Sequence, residues 1–164
     1  MPIVDVNGTS GRPAPLAPVA LWVAAVLGTI HAAWSAYWAF GGRVLLDTVG
    51  GWAVAAVEER PLLALGGLLA VAVAKLLAAW IPLLAETGRI PGRRVWRGCA
   101  WVGGPFLIIY GAVNASAAVA ILAGWVETEN YDRPGLIGHA FVWDPLFAVW
   151  GVALTIALVA TRRT

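Results

Sequence analysis

Gly138-His139-Ala140-Phe141-Val142-Trp143-Asp144-Pro145 places a histidine and an aspartate at the head of a long apolar run. His31 and Lys75 interrupt two earlier apolar runs in the same way, and Asn114 interrupts a third. An ionisable side chain in hydrocarbon costs about 2.5 kcal/mol or more near mid-bilayer, so each needs a partner or a purpose. The chemistry open to this set is acid–base work by His31 and Asp144, with Lys75 setting the charge and Asn114 orienting a bound group. Tyr110 lies four residues before Asn114 and shares its helix face. Trp34, Trp38, His139 and Trp143 belong to the same neighbourhood and are candidates to line a pocket for a flat or prenyl-like molecule.

Counting residues from the predicted outer ends gives the depth of each group. At the helical rise, His31 lies ~13 Å in, Asp144 ~12 Å, Asn114 ~16 Å and Lys75 ~21 Å. A helical lysine leans toward its helix N-terminus, here the outer side, and can snorkel, which brings its ammonium toward the shared layer. His139 sits near the mouth. Four helices are therefore expected to bring polar side chains together in the outer half of a bundle, around a small closed pocket, with Lys75 and Asp144 able to pair.

Plainer roles exist for the same residues. Aspartate is a good N-cap and proline suits the first helical position, so Asp144-Pro145 can start a new helix, with residues 136–143 a separate dipping segment. His31 can be an interhelical hydrogen-bonding residue and His139 an interface residue. A haem held by His31 and His139 would need both at one depth, whereas the counts separate them by ~9 Å. Cys99 is the only cysteine, which excludes an intrachain disulfide and a cysteine metal cluster. The sequence defines no metal site and leaves any cofactor unknown; it holds no Gly-rich phosphate loop, no His-Glu-x-x-His and no exposed-serine elbow.

The elements that must position these groups follow from composition. Of 164 residues, 60% are hydrophobic and 12% charged, about half the roughly 25% charge of a soluble domain. Ten tryptophans suit membrane–water boundaries, where an apolar ring with one N–H is favoured. The expectation is an all-α, four-helix transmembrane bundle, with spans about 18–40, 61–84, 98–125 and 136–160. Residues 1–16 read as a mobile cytoplasmic tail, and 17–164 as one membrane domain. Residues 43–60 are too short to cross and suit a short interfacial helix between spans one and two. Arg89, Arg93, Arg94 and Arg97 crowd the 86–97 loop, while 126–136 is acidic, so both termini are expected on the cytoplasmic side. Gly103-Gly104-Pro105 is expected to bend span three, and Ala148, Gly151 and Thr155 to let another helix approach span four closely.

His31-Ala32-Ala33-Trp34 followed by Gly41-Gly42, with Gly138-His139, Trp143-Asp144-Pro145 and Trp150-Gly151, resembles a family of small four-span bacterial membrane proteins of unknown function. The resemblance covers spans one and four; spans two and three match in length and apolar character. It implies a four-helix, multi-pass protein of the bacterial cytoplasmic (inner) membrane and lends no catalytic role to any residue.

Three functions are open to this pattern. The first is an intramembrane site that binds, and acts by acid–base chemistry on, a lipid, quinone or isoprenoid. The second is an accessory or assembly subunit of a membrane complex, with polar groups serving as helix glue. The third is a proton-linked transporter working as a dimer, against which the absence of internal repeats counts. Expected partners are the bilayer, a hydrophobic small-molecule ligand, and a second copy or another membrane protein. Nucleic acid is excluded, since no basic stripe is interleaved with aromatics.

Overall fold

The computed structural model describes residues 16–161; the expected tail, apart from Leu16, and the Arg162-Arg163 pair fall outside them. Four apolar stretches form four helical rods: α1 (Leu16–Ala39), α3 (Pro61–Glu86), α4 (Arg93–Leu122), and a last rod of α5 (Arg133–Gly138), a π-helical turn (His139–Trp143) and α6 (Asp144–Ala160). Each is long and apolar enough to cross a bilayer, so the chain is a multi-pass membrane protein. Among the described residues there is no strand. α4 starts early enough to carry Arg93, Arg94 and Arg97 in its first turns. Between α1 and α3 lie a 3-10 turn (Asp47–Val49) and α2 (Gly51–Glu59), whose nine residues are too few to span.

The rods pack in an order different from their order along the chain. α1 lies between α3 and α6, α6 packs along α4, and the sequence neighbours α3 and α4 touch least of these pairs. Burial follows the same order: 39% and 44% of the apolar windows of α1 and the last rod are buried in protein, against 11% in each of α3 and α4. Helix association in lipid depends on close packing rather than on expelling water, so small residues mark the tight contacts. A Cβ on Gly151 would sit 2.5 Å from the carbonyl oxygen of Gly104, and one on Gly104 would sit 2.6 Å from Thr155 Oγ1. The small face of span four therefore receives α4. Pro105 and Pro82 both lie inside helices that continue through them, so the expected early bend does not end α4.

The arginine-rich end is closed by ion pairs. Arg93 and Arg97 share the Glu86 carboxylate, and Arg97 also donates to the Leu158 carbonyl at 2.8 Å and to Thr161 Oγ1 at 2.7 Å. One guanidinium thus ties the ends of α3, α4 and α6 together. At the other end, Asp132 caps α5 through Gly135 N and accepts from Gly51 N at 2.6 Å, which fixes α2 to the start of the last rod.

Gly111 is where α4 comes nearest the break in span four: a Cβ there would press on the Asp144 carbonyl oxygen and stand 2.6 Å from Ala148 N. Gly111→Ala is expected to cost about 1–3 kcal/mol by forcing backbone apart. Gly67, whose Cβ would meet nothing within 4 Å, should instead gain about 0.5–1 kcal/mol as alanine. Reversible unfolding of both variants in mixed micelles measures the contrast.

Candidate functional site

α1 sets His31 and Ser35 four residues apart, hence one turn apart on one face, and both are buried. Lys75 reaches them from α3: its Nζ lies 3.1 Å from His31 Nδ1 and donates to Ser35 Oγ at 2.9 Å. The other ring nitrogen of His31, Nε2, is 3.2 Å from the carbonyl oxygen of Trp143. A carbonyl only accepts, so Nε2 carries the proton and Nδ1 offers its lone pair to the lysine ammonium. His31 is therefore neutral and engaged at both nitrogens. Lys75 pairs with this imidazole and not with Asp144, contrary to expectation. No carboxylate oxygen of the described residues lies within the 4.0 Å ion-pair distance of the ammonium.

Asp144 is almost wholly buried, at 1% exposure, and its partner is His139, Nδ1 to Oδ2 2.9 Å. It is not an N-cap. Trp143 before it already has helical torsions, no side-chain cap bond forms, and span four runs on without a separate dipping segment. The cause is Pro145, which lacks an N–H and presses on the turn before it. The helix widens there into the π turn. In an α-helix, residues five apart would stand ~140° from each other around the axis. The wider turn brings His139 and Asp144 onto one side.

The loop between α1 and α2 closes over this pair. His139 Nε2 donates to the Val49 carbonyl at 3.2 Å, and Trp143 Nε1 donates to the carbonyl and hydroxyl of Thr48, each at 3.1 Å. With Nε2 protonated by its acceptor, His139 and Asp144 share one proton between Nδ1 and Oδ2. Trp38 Nε1 holds the loop from α1, donating to Val44 O at 2.9 Å. A Cβ on Gly138 would collide with the Thr48 carbonyl, so only glycine lets the loop lie this close.

Aromatic rings fill the space between the two groups. Trp38 and Trp34 stand edge-on to Trp143, with centroids 5.1 and 5.8 Å away. Phe147, unremarked in the sequence, is the common neighbour: its ring lies 3.9 Å from that of His31, 5.4 Å from Lys75 Nζ, 5.6 Å from Tyr110 and 6.2 Å from Trp150. Trp150 Nε1, one ring further down, is buried without a hydrogen-bond partner.

Asn114 does not join the layer; its amide donates to the Tyr110 carbonyl of its own helix at 2.8 Å. α4 contributes the ring of Tyr110 and the close approach at Gly111. Three helices, not four, supply the polar groups. Ser35, Thr48, Val49 and Phe147 were missed. Only Ser35 carried a signal, its four-residue spacing from His31. A separate groove between α3 and α4 is lined by Leu77, Ala78, Pro82, Gly103, Leu107 and Leu154 among others, and none of the expected site residues lines it. Among the described residues no three metal-ligating side chains converge.

Removing the Asp144 carboxylate leaves Nδ1 of His139 without its partner at the mouth of the bundle. Asp144→Ala is expected to cost about 1–3 kcal/mol, and Asp144→Asn, whose amide can still hydrogen-bond Nδ1, markedly less. Unfolding free energies, with amide exchange at Thr48 and Val49 as the local readout, test this order.

No curated protein and no solved structure matches the chain. A family model does, across residues 28–154, from three residues before His31 to ten beyond Asp144. That stretch holds both polar groups, the loop that covers them and the aromatic column between, and the match spans most of the chain. The chain belongs to the family described as protein of unknown function, DUF3995.

Proposed function

We propose that the group around Lys75, His31 and Ser35 is an intramembrane binding site, reached sideways from the bilayer, for the polar end of a small amphipathic molecule. In this proposal the arginine-rich end faces the cytoplasm, as the excess of arginine there favours. The observation that carries it is the state of Lys75. The chain's one lysine is half-buried at the middle of an apolar span, and its partners are a neutral imidazole and a hydroxyl. A cation so placed is costly unless something compensates it. A groove between α3 and α4 begins at Leu77 and Ala78, within one helical turn of Lys75, which gives a ligand a way in. His31 then acts as a positioning residue that holds the ammonium, since both its nitrogens are taken. The His139–Asp144 pair serves to plug the other end.

One observation favours a second reading, an assembly subunit: α3 and α4 leave most of their apolar surface uncovered by the protein. The transporter reading is weaker. A proton passing from His139 and Asp144 to His31 would have to cross the Trp143 carbonyl, which carries no exchangeable proton.

Purified protein is expected to carry an amphipathic compound, detected by absorption and by mass spectrometry of its organic extract. Lys75→Met should lower its recovery tenfold or more, the loss of one charge-assisted hydrogen bond being worth about 1.5–3 kcal/mol. Lys75→Arg should retain part of it. A ligand-free wild type, with Lys75→Met folding equally well, would leave the assembly reading in place.

A further inference from the structure

Gly67, Val71, Lys75, Ala78 and Pro82 follow one another along α3 at steps of four, four, three and four, so they form one stripe. Two apolar grooves share that stripe. The upper one, between α2 and α3, includes Gly67 and Val71, with Arg60 at its mouth. The lower one, between α3 and α4, includes Ala78 and Pro82 and runs to Trp96 and Cys99 near the arginine end. Lys75 stands between the two. An ammonium has three N–H donors. His31 Nδ1 and Ser35 Oγ take two, which leaves the third for a ligand.

From this placement we infer that the site takes an acyl-chain anion, a deepening that rests on the binding site proposed above. The headgroup oxygens accept the third N–H of Lys75 and balance its charge. The chain runs down the lower groove, because Arg60 at the mouth of the upper groove suits an apolar tail less well. The cavity in that groove is about 170 Å³, below the roughly 300–1,000 Å³ of whole small-molecule sites, so it takes part of an acyl chain and leaves the rest in the bilayer. Its length along α3, from Lys75 to Pro82, is ~10 Å at the helical rise, so a chain of medium length reaches its end. A free carboxylate and a phospholipid phosphate offer the same chemistry to the ammonium.

Cys99, the only cysteine, is exposed on the wall of this groove and reports its occupancy in the native protein. The experiment places the protein in phosphatidylcholine nanodiscs and measures two quantities, the alkylation rate of Cys99 by N-ethylmaleimide and the unfolding midpoint. The additions are dodecanoate, 1-dodecanol, or phosphatidylglycerol in the disc. Dodecanoate should slow alkylation several-fold and raise the midpoint in wild type and in Lys75→Arg, with neither effect in Lys75→Gln. Dodecanol should fall well short of it. Gly103→Leu fills the groove where a Cβ would meet nothing within 4 Å. It should abolish the midpoint shift with Lys75 intact. If phosphatidylglycerol gives the Lys75-dependent effects and dodecanoate does not, the anion is a lipid headgroup. If dodecanol works as well as dodecanoate and still needs Lys75, the binding site stands and its anion preference is overturned. If no addition alters either quantity in wild type, both are overturned.

Discussion

Within hydrocarbon, a polar group has no water to fall back on, so each must find its partner in the protein. The site's architecture follows from how that demand is met at Pro145. A proline inside a span removes a donor and crowds the preceding turn. The turn from His139 to Trp143 widens, and the widening aligns His139 with Asp144. The same segment presents the Trp143 carbonyl to His31 and its indole N–H to Thr48. One backbone adjustment thus supplies partners to α1, to the α1–α2 loop and to span four itself.

The two polar groups have different relations to charge. His139 and Asp144 share a proton, so the pair is balanced whichever atom holds it, and the loop above completes its hydrogen bonding. Lys75 and His31 are unbalanced, because a neutral imidazole can accept from an ammonium without neutralising it. Phe147 offsets part of this with its ring face, 5.4 Å from Nζ. The imbalance lies on α3, which packs far less against α4 than against α1. A closed bundle would have hidden Lys75 from the bilayer; the order α3–α1–α6–α4 leaves an edge open next to it.

Packing between the rods rests on small residues meeting small residues. Gly104 faces Gly151 and Thr155, and Gly111 faces the Asp144–Ala148 backbone. These contacts hold α4 against the last rod while Glu86, Arg93 and Arg97 fasten the far end. The span that carries the π turn is thereby gripped from the end of that turn to the arginine-rich end.

The sequence by itself determined the four spans, the short helix between the first two, and the rarity of titratable groups within them. Those follow from local hydropathy and helical length, which need no knowledge of neighbours. It also placed Trp34 and Trp38 on the face of His31, a matter of spacing within one helix. Which polar groups pair was decided only in three dimensions. Asp144 read as a cap for a new helix, because an α-helical count sets His139 on a different side. Lys75 read as a partner for Asp144, because opposite charges attract, yet the fold set a neutral imidazole nearer to it. Asn114 was at the right depth and turned to its own backbone. Pairing depends on the rotation of each helix and on one widened turn, and neither is encoded by periodicity; both come from how glycine contacts, a proline and a covering loop settle against one another.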